Sequence, residues 1–61
     1  MQVRWEYLTP PEFKKLVKEE QICILPLGIL ERHGEHLPYG TDGLSVHALA
    51  CRAAELEPCM V

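Results

Sequence analysis

Apolar residues recur at helical spacing in two parts of the chain. In the first, Phe13, Leu16 and Val17 fall on one side, while lysines and a glutamate occupy the other side. The preceding residues 9–12 (TPPE) provide a capping threonine, prolines that are tolerated in a first turn, and a carboxylate that reaches back to the cap. The pattern predicts a short amphipathic helix over residues 10–20.

The second helical pattern lies near the end of the sequence. Its apolar positions share one face, and polar side chains occupy the opposite face. The apolar positions are Val46, Leu49, Ala50, Ala53 and Leu56. Thr41 or Asp42 is placed to cap the helix, and Pro58 is placed to stop it. We therefore predict a helix over residues 43–57.

A continuous apolar run, ICILPL (residues 22–27), separates the two helices. Uninterrupted apolar sequence is typical of a parallel strand that is covered on both faces. Pro26 cannot donate a hydrogen bond, so strand pairing is expected to end there. Residues 58–61 have the character of a second strand that is just beginning. A lone strand has nothing to pair with, so the pattern predicts the first α-β-α portion of a larger α/β domain.

Composition and charge narrow the possible partners. The chain has 61 residues, 48% of them hydrophobic and 25% charged, with a formal net charge of -3, which is typical of a globular protein with one domain at most. Its six basic residues are too scattered to bind a nucleic acid backbone. No apolar segment has the length of a membrane span or the form of a signal peptide, so we expect a cytoplasmic location and no membrane contact.

The three cysteines, Cys23, Cys51 and Cys59, show no CxxC spacing. They therefore form neither a zinc knuckle nor a closed disulfide framework. We expect reduced, buried thiols that behave as small hydrophobic side chains.

The connection between the predicted strand and the second helix, residues 28–41, is unusually long. Such connections commonly take about two to six residues, and excess length is usually functional. This loop leaves the carboxyl end of a strand, where ligands bind in open parallel sheets. Its carboxylate and imidazole side chains, with the residue that follows it, are Glu31, His33, Glu35, His36 and Asp42. Such a concentration of carboxylates and imidazoles favours a site that holds a cation.

The spacing within this loop supports the same interpretation. Glu31 and His33 are two positions apart, so in an extended segment their side chains project to the same side. The HGEH sequence is not an HExxH zinc motif, because its second histidine comes one residue too early. Taken singly, Asp42 is explained as a helix cap, Glu35 as an exposed charge and His47 as a structural residue of the second helix. The combination in the loop favours metal binding.

Residues 25–42, LPLGILERHGEHLPYGTD, resemble the N-terminal signature of the creatininase (creatinine amidohydrolase) family, in which an apolar strand and a glycine precede E-x-H-G-x-H-L-P and T-D. The RAAEL of the following helix is also typical, although the family's proteins are several times longer. The matching residues are Gly28, Glu31, His33, Gly34, His36, Leu37, Pro38, Thr41 and Asp42.

The resemblance implies a three-layer α/β/α fold with a mainly parallel sheet, of which residues 1–61 are the N-terminal, incomplete part. It also implies a homo-oligomeric enzyme that uses two divalent metal ions to hydrolyse a C–N amide bond in a small cyclic amide or formamide. By motif position, Glu31 would bind one ion and His33 the other, Asp42 would bridge both, and His36 would support the ligands. The other ligands and the acid/base groups are expected beyond Val61, so residues 1–61 alone are expected to be inactive.

Oxygen and imidazole donors without thiolate suit Zn²⁺ or Mn²⁺, with Fe²⁺ as a further option. Two other interpretations remain at this stage. In one, the motif survives in a noncatalytic metal-binding or interaction module. In the other, the glycines and prolines are turn residues and the charges only solvate the loop, which explains the loop's polarity but not its length.

Overall fold

The computed structural model describes residues 2–61, which contain two α-helices and a short 3-10 turn. The turn covers Trp5–Tyr7, α1 covers Pro10–Glu19 and α2 covers Thr41–Leu56. The helix predicted over residues 10–20 is confirmed to within one residue. Within residues 2–61, neither helix has the length and apolar character needed to cross a membrane.

The start of α1 follows from its local sequence. The Glu12 carboxylate accepts hydrogen bonds from the Thr9 hydroxyl at 2.6 Å and from the Thr9 backbone N–H at 3.0 Å. These bonds favour the charged form and lower the pKa of Glu12. Leu16 is the buried residue of α1, and Phe13 stacks on Trp5 with ring centroids 5.2 Å apart.

Three short segments, residues 3–5, 22–24 and 59–61, lie side by side with the last segment in the middle, and Trp5 at the end of the first segment also begins the 3-10 turn. Residues 22–24 and 59–61 run parallel, and the bonds of residues 3–5 have the slanted pattern of a parallel pair. Four backbone N–H···O bonds join the segments: Val61 to Val3 (2.9 Å), Trp5 to Val61 (2.9 Å), Ile24 to Met60 (2.8 Å) and Met60 to Ile22 (3.2 Å). We call this arrangement the parallel ladder.

The ladder corrects two expectations about the strand. The strand predicted over residues 22–27 pairs only through residue 24, and Leu25 and Leu27 are 77% and 76% exposed. The prediction that the strand would have nothing to pair with is also wrong, because the two ends of the described chain converge on each other. The middle segment consequently forms backbone bonds on both of its sides.

The two helices lie on opposite faces of the ladder. Ala50 and Ala54 of α2 form the hydrophobic core with Val3, Cys59 and Val61. Successive residues of an extended segment point to opposite faces, so Met60 points away from α2. It lines a cavity together with Phe13 and Val17 of α1. The result is a small parallel ladder with one helix on each side.

The predicted start and buried face of α2 need correction. The helix begins at Thr41, its N-cap is Gly40 with no side-chain cap bond, and neither Thr41 nor Asp42 caps it. Its buried residues are Ala50 and Ala54, whereas Leu49 and Leu56 are 69% and 75% exposed. Small alanine side chains lie between the helix and the ladder, and the leucines of the predicted stripe face outward.

Much apolar surface remains open. The radius of gyration is 13.9 Å, against about 10.5 Å for a compact domain of this length. The accessible surface is 4915 Å², against about 4,000 Å² for a compact monomer of 7.0 kDa. The thirteen residues 5, 7, 17, 22, 25, 27, 29, 30, 37, 39, 44, 49 and 56 are large, apolar and exposed. Residues 2–61 thus offer far more apolar surface to a covering structure than a finished small domain does.

The cysteines are free, as predicted, but only one is buried. Cys59 lies in the core, and burial raises the pKa of its thiol. Cys23 is exposed and Cys51 is half-buried, so the expectation of three buried thiols is wrong. Cys23 lines the open cavity beside α1, together with Met60, so its thiol is not covered.

Candidate metal centre

The long loop folds back on itself as a hairpin over residues 31–39. The Glu31 N–H donates to the Tyr39 carbonyl at 3.1 Å, and His33 forms an antiparallel bridge with Leu37. Gly34 turns the chain with a φ of 73°, a conformation that costs glycine little. Glu31 and His33 therefore lie two positions apart on one arm of the hairpin, where alternate side chains project to the same side.

Three of the predicted site residues converge. Glu31, His33 and Asp42 each offer a ligand atom, and these atoms lie within 4.8 Å of one another. His33 Nε2 is 3.6 Å from Asp42 Oδ1, and their side chains are 18% and 43% exposed. We call these residues the Glu-His-Asp cluster. Its members are the three residues that the sequence assigned to the metal ions.

The cluster has the character of a cation site. His33 Nε2 is buried and has no hydrogen-bond partner within residues 2–61, which is costly for a polar atom. Two carboxylates lie close together, and no lysine or arginine of the described residues pairs with either of them. A divalent ion would satisfy the imidazole nitrogen and offset the repulsion between the carboxylates. The donor types and charge therefore fit a divalent metal ion.

One distance within the cluster agrees with shared coordination. Donor atoms about 2.1 Å from one tetrahedrally bound ion lie about 3.4 Å apart. The 3.6 Å between His33 Nε2 and Asp42 Oδ1 is close to that value and is too long for a good hydrogen bond. The imidazole and the carboxylate are thus separated as two ligands of one ion are.

Two further contacts join the hairpin and its preceding loop to the start of α2. The Thr41 hydroxyl donates to the Pro38 carbonyl at 2.6 Å, so the threonine holds the loop and does not cap the helix. Gly28, at the beginning of the loop, lies directly against the peptide between Asp42 and Gly43. The sequence singled out Gly28 as a motif residue but did not predict this contact, because the two glycines are distant along the chain.

The other polar residues of the loop lie outside the cluster. His36 is exposed, and its ring lies over Gly34, where an added Cβ would be 3.2 Å from Nδ1. Its supporting role stays a prediction. Glu35 is exposed and forms an ion pair with Arg32, in agreement with its interpretation as a surface charge. His47 is half-buried on α2.

Comparison with known proteins gives one match. Residues 6–61 match the profile of the family described as creatininase, creatinine amidohydrolase. The matched region contains both helices, the hairpin and the whole Glu-His-Asp cluster. No curated protein and no solved structure matches the chain.

Proposed function

Because the chain belongs to the creatinine amidohydrolase family, we propose that it is part of a metal-dependent amidohydrolase acting on a C–N amide bond of a small cyclic amide or a formamide. The observation that carries this proposal is the Glu-His-Asp cluster, in which a buried imidazole nitrogen without a hydrogen-bond partner lies beside two carboxylates that no lysine or arginine of residues 2–61 pairs with. Family membership supports the reaction class, and the cluster supports the need for metal.

The chain's own residues have distinct parts in this proposal. Glu31 would hold one divalent ion and His33 a second, and Asp42 would be shared between them. The two carboxylates offset the repulsion between the ions, and the hairpin holds Glu31 and His33 on one side. When bound, two such ions polarise an amide carbonyl and activate a water molecule for attack. Zn²⁺ or Mn²⁺ suits these donors, with Fe²⁺ as the further option.

We also propose that residues 1–61 are the N-terminal part of a larger three-layer α/β/α domain. The support is physical: one helix on each face of a parallel ladder is the smallest portion of such an architecture, and the exposed apolar residues need cover. The remaining metal ligands and the acid/base groups would then come from residues beyond Val61. The three residues of the cluster are not expected to catalyse hydrolysis alone.

The test uses the full-length protein, meaning the complete product of its reading frame. The purified enzyme is stripped with a chelator, then reloaded with Zn²⁺ or Mn²⁺, and hydrolysis of creatinine and of simple formamides is followed. We expect about two ions per subunit, loss of hydrolysis on stripping and recovery on reloading. Hydrolysis that persists without metal would contradict the proposal, and so would copper or an iron–sulfur spectrum. Metal binding without amide hydrolysis would favour a noncatalytic module.

A further inference from the structure

We propose that Gly28 is a positioning residue, which fixes Asp42 within the Glu-His-Asp cluster through a backbone contact with the first turn of α2. This inference rests on the proposed function, because it assumes that the cluster binds metal. It concerns a residue that donates no ligand atom and lies outside the cluster itself.

The contact leaves no room for a side chain at position 28. A Cβ built on Gly28 would lie 2.5 Å from both Cα and N of Gly43 and 2.9 Å from the carbonyl carbon of Asp42. Ordinary contacts of such atoms are 3.4–4 Å, and all three neighbours are backbone atoms that cannot rotate away. The backbone at Gly28 does not have a positive φ, so space and not conformation requires glycine here.

The contact also joins the two segments that form the cluster. Gly28 begins the loop that leads to Glu31 and His33, while the peptide it touches belongs to Asp42 itself. Any separation of the two backbones therefore moves Asp42 relative to the other two ligands. A methyl group at position 28 would lie about 0.9 Å closer to the backbone of Gly43 than an ordinary contact allows. The two backbones would have to move apart by about that distance, and close packing transmits such a movement to Asp42.

The chain supplies a matched control on the other side of the same contact. A Cβ built on Gly43 meets nothing within 4 Å. Gly43→Ala therefore adds the same methyl group to the neighbouring backbone without overlap. Leu16→Ala provides a second control, because it removes a buried side chain of α1 and lowers stability without touching the cluster.

The experiment compares the full-length wild type with Gly28→Ala, Gly43→Ala and Leu16→Ala. Each protein is stripped of metal and titrated with Co²⁺, and the visible spectrum, which reports ligand geometry, is recorded together with a thermal melt. We expect Gly28→Ala to fold, to bind Co²⁺ with a Kd raised about 10- to 100-fold and to show a changed spectrum. Gly43→Ala should match the wild type. Leu16→Ala should melt earlier but keep the wild-type Kd and spectrum.

Three results would overturn the inference while leaving the proposed function intact. They are a Gly28→Ala protein with the wild-type Kd and spectrum, a Gly28→Ala protein that does not fold, and a Leu16→Ala protein whose Co²⁺ affinity falls as far as that of Gly28→Ala. Failure of Gly28→Ala to fold would show that the contact serves the fold as a whole. An equal loss of affinity in Leu16→Ala would show that reduced stability, and not the position of Asp42, weakens Co²⁺ binding. A wild type that binds no Co²⁺ would instead overturn both the proposed function and the inference.

Discussion

Replacing Asp42 with asparagine removes one negative charge from the Glu-His-Asp cluster and keeps the size of the side chain. From the structure, we expect this substitution to change the free energy of unfolding only slightly. Asp42 lies in the first turn of α2, but Gly40 is the N-cap and no side-chain cap bond is lost. The substitution removes the attraction between a half-exposed carboxylate and the helix N-terminus, which costs about 0.3–1 kcal/mol of the free energy of unfolding, and it also changes the contact with His33 Nε2 at 3.6 Å.

The expected effect on metal binding is much larger. Asp42 Oδ1 is 3.6 Å from His33 Nε2, and a carboxylate there can place one oxygen on each of two ions. The asparagine amide has one neutral oxygen and cannot do this. Because disturbing residues that only support ligands already weakens metal binding by about 10- to 100-fold, we expect at least about a 100-fold loss for a bridging ligand. Hydrolysis should be lost with the metal.

The assay measures bound metal by equilibrium dialysis and amide hydrolysis of full-length Asp42→Asn. A metal-free melt is recorded in parallel, so that stability is measured separately. Glu35→Gln is the matched control, because it removes one carboxylate from an 87% exposed side chain that pairs with Arg32 outside the cluster. We expect this control to bind metal and hydrolyse amides nearly as well as the wild type. If Asp42→Asn keeps both metals and near-normal rates, Asp42 is not a bridging ligand and the proposed site is wrong.

Three other predictions follow from the fold. The isolated 61-residue chain should not fold stably as a monomer, since its apolar surface is uncovered; dispersed amide proton shifts and a cooperative melt at micromolar concentration would disprove this. Because the Thr9 hydrogen bonds lower the pKa of Glu12 from its ordinary 4.5, their stabilisation is present above that pH and is lost as the pH falls through the lowered value. The melting temperatures of full-length wild type and Glu12→Ala should therefore converge in acid. A difference between them that does not change with pH would contradict this prediction. Native Cys59 should resist iodoacetamide near neutral pH and react in guanidinium, because burial raises the pKa of its thiol; rapid native labelling would show that the residue is open.

Features determined by local sequence were predictable. The position of α1 follows from its cap and its apolar spacing, because Thr9 and Glu12 interact within one turn. The convergence of Glu31 and His33 follows from their two-residue spacing once the loop is extended. Asp42 reached the candidate set through the motif, although the sequence also allowed it to be a helix cap.

Features determined by contacts between distant residues were not predictable. The pairing of residues 3–5 with residue 61 has no local signature, because the hydrogen bonds join backbone groups and leave no mark on residue type. The predicted face of α2 correctly included Ala50, but it also included the exposed Leu49 and Leu56 and missed Ala54, because close approach to the ladder selects small side chains. The contact of Gly28 with the first turn of α2 is equally invisible, since it depends on where two backbones meet.

The order of the parallel ladder has a consequence for how the protein is made. Its middle segment, residues 59–61, is translated after both of its neighbours, so none of the four ladder bonds can form while those residues are still unmade. At about 5–20 residues per second, residues 3–5 wait roughly 3–11 s for their partner. During that interval Val3, which is buried once the ladder has formed, is open to chaperones and to neighbouring nascent chains. Codons that slow the ribosome just before residue 59 would lengthen this exposure without changing a single amino acid.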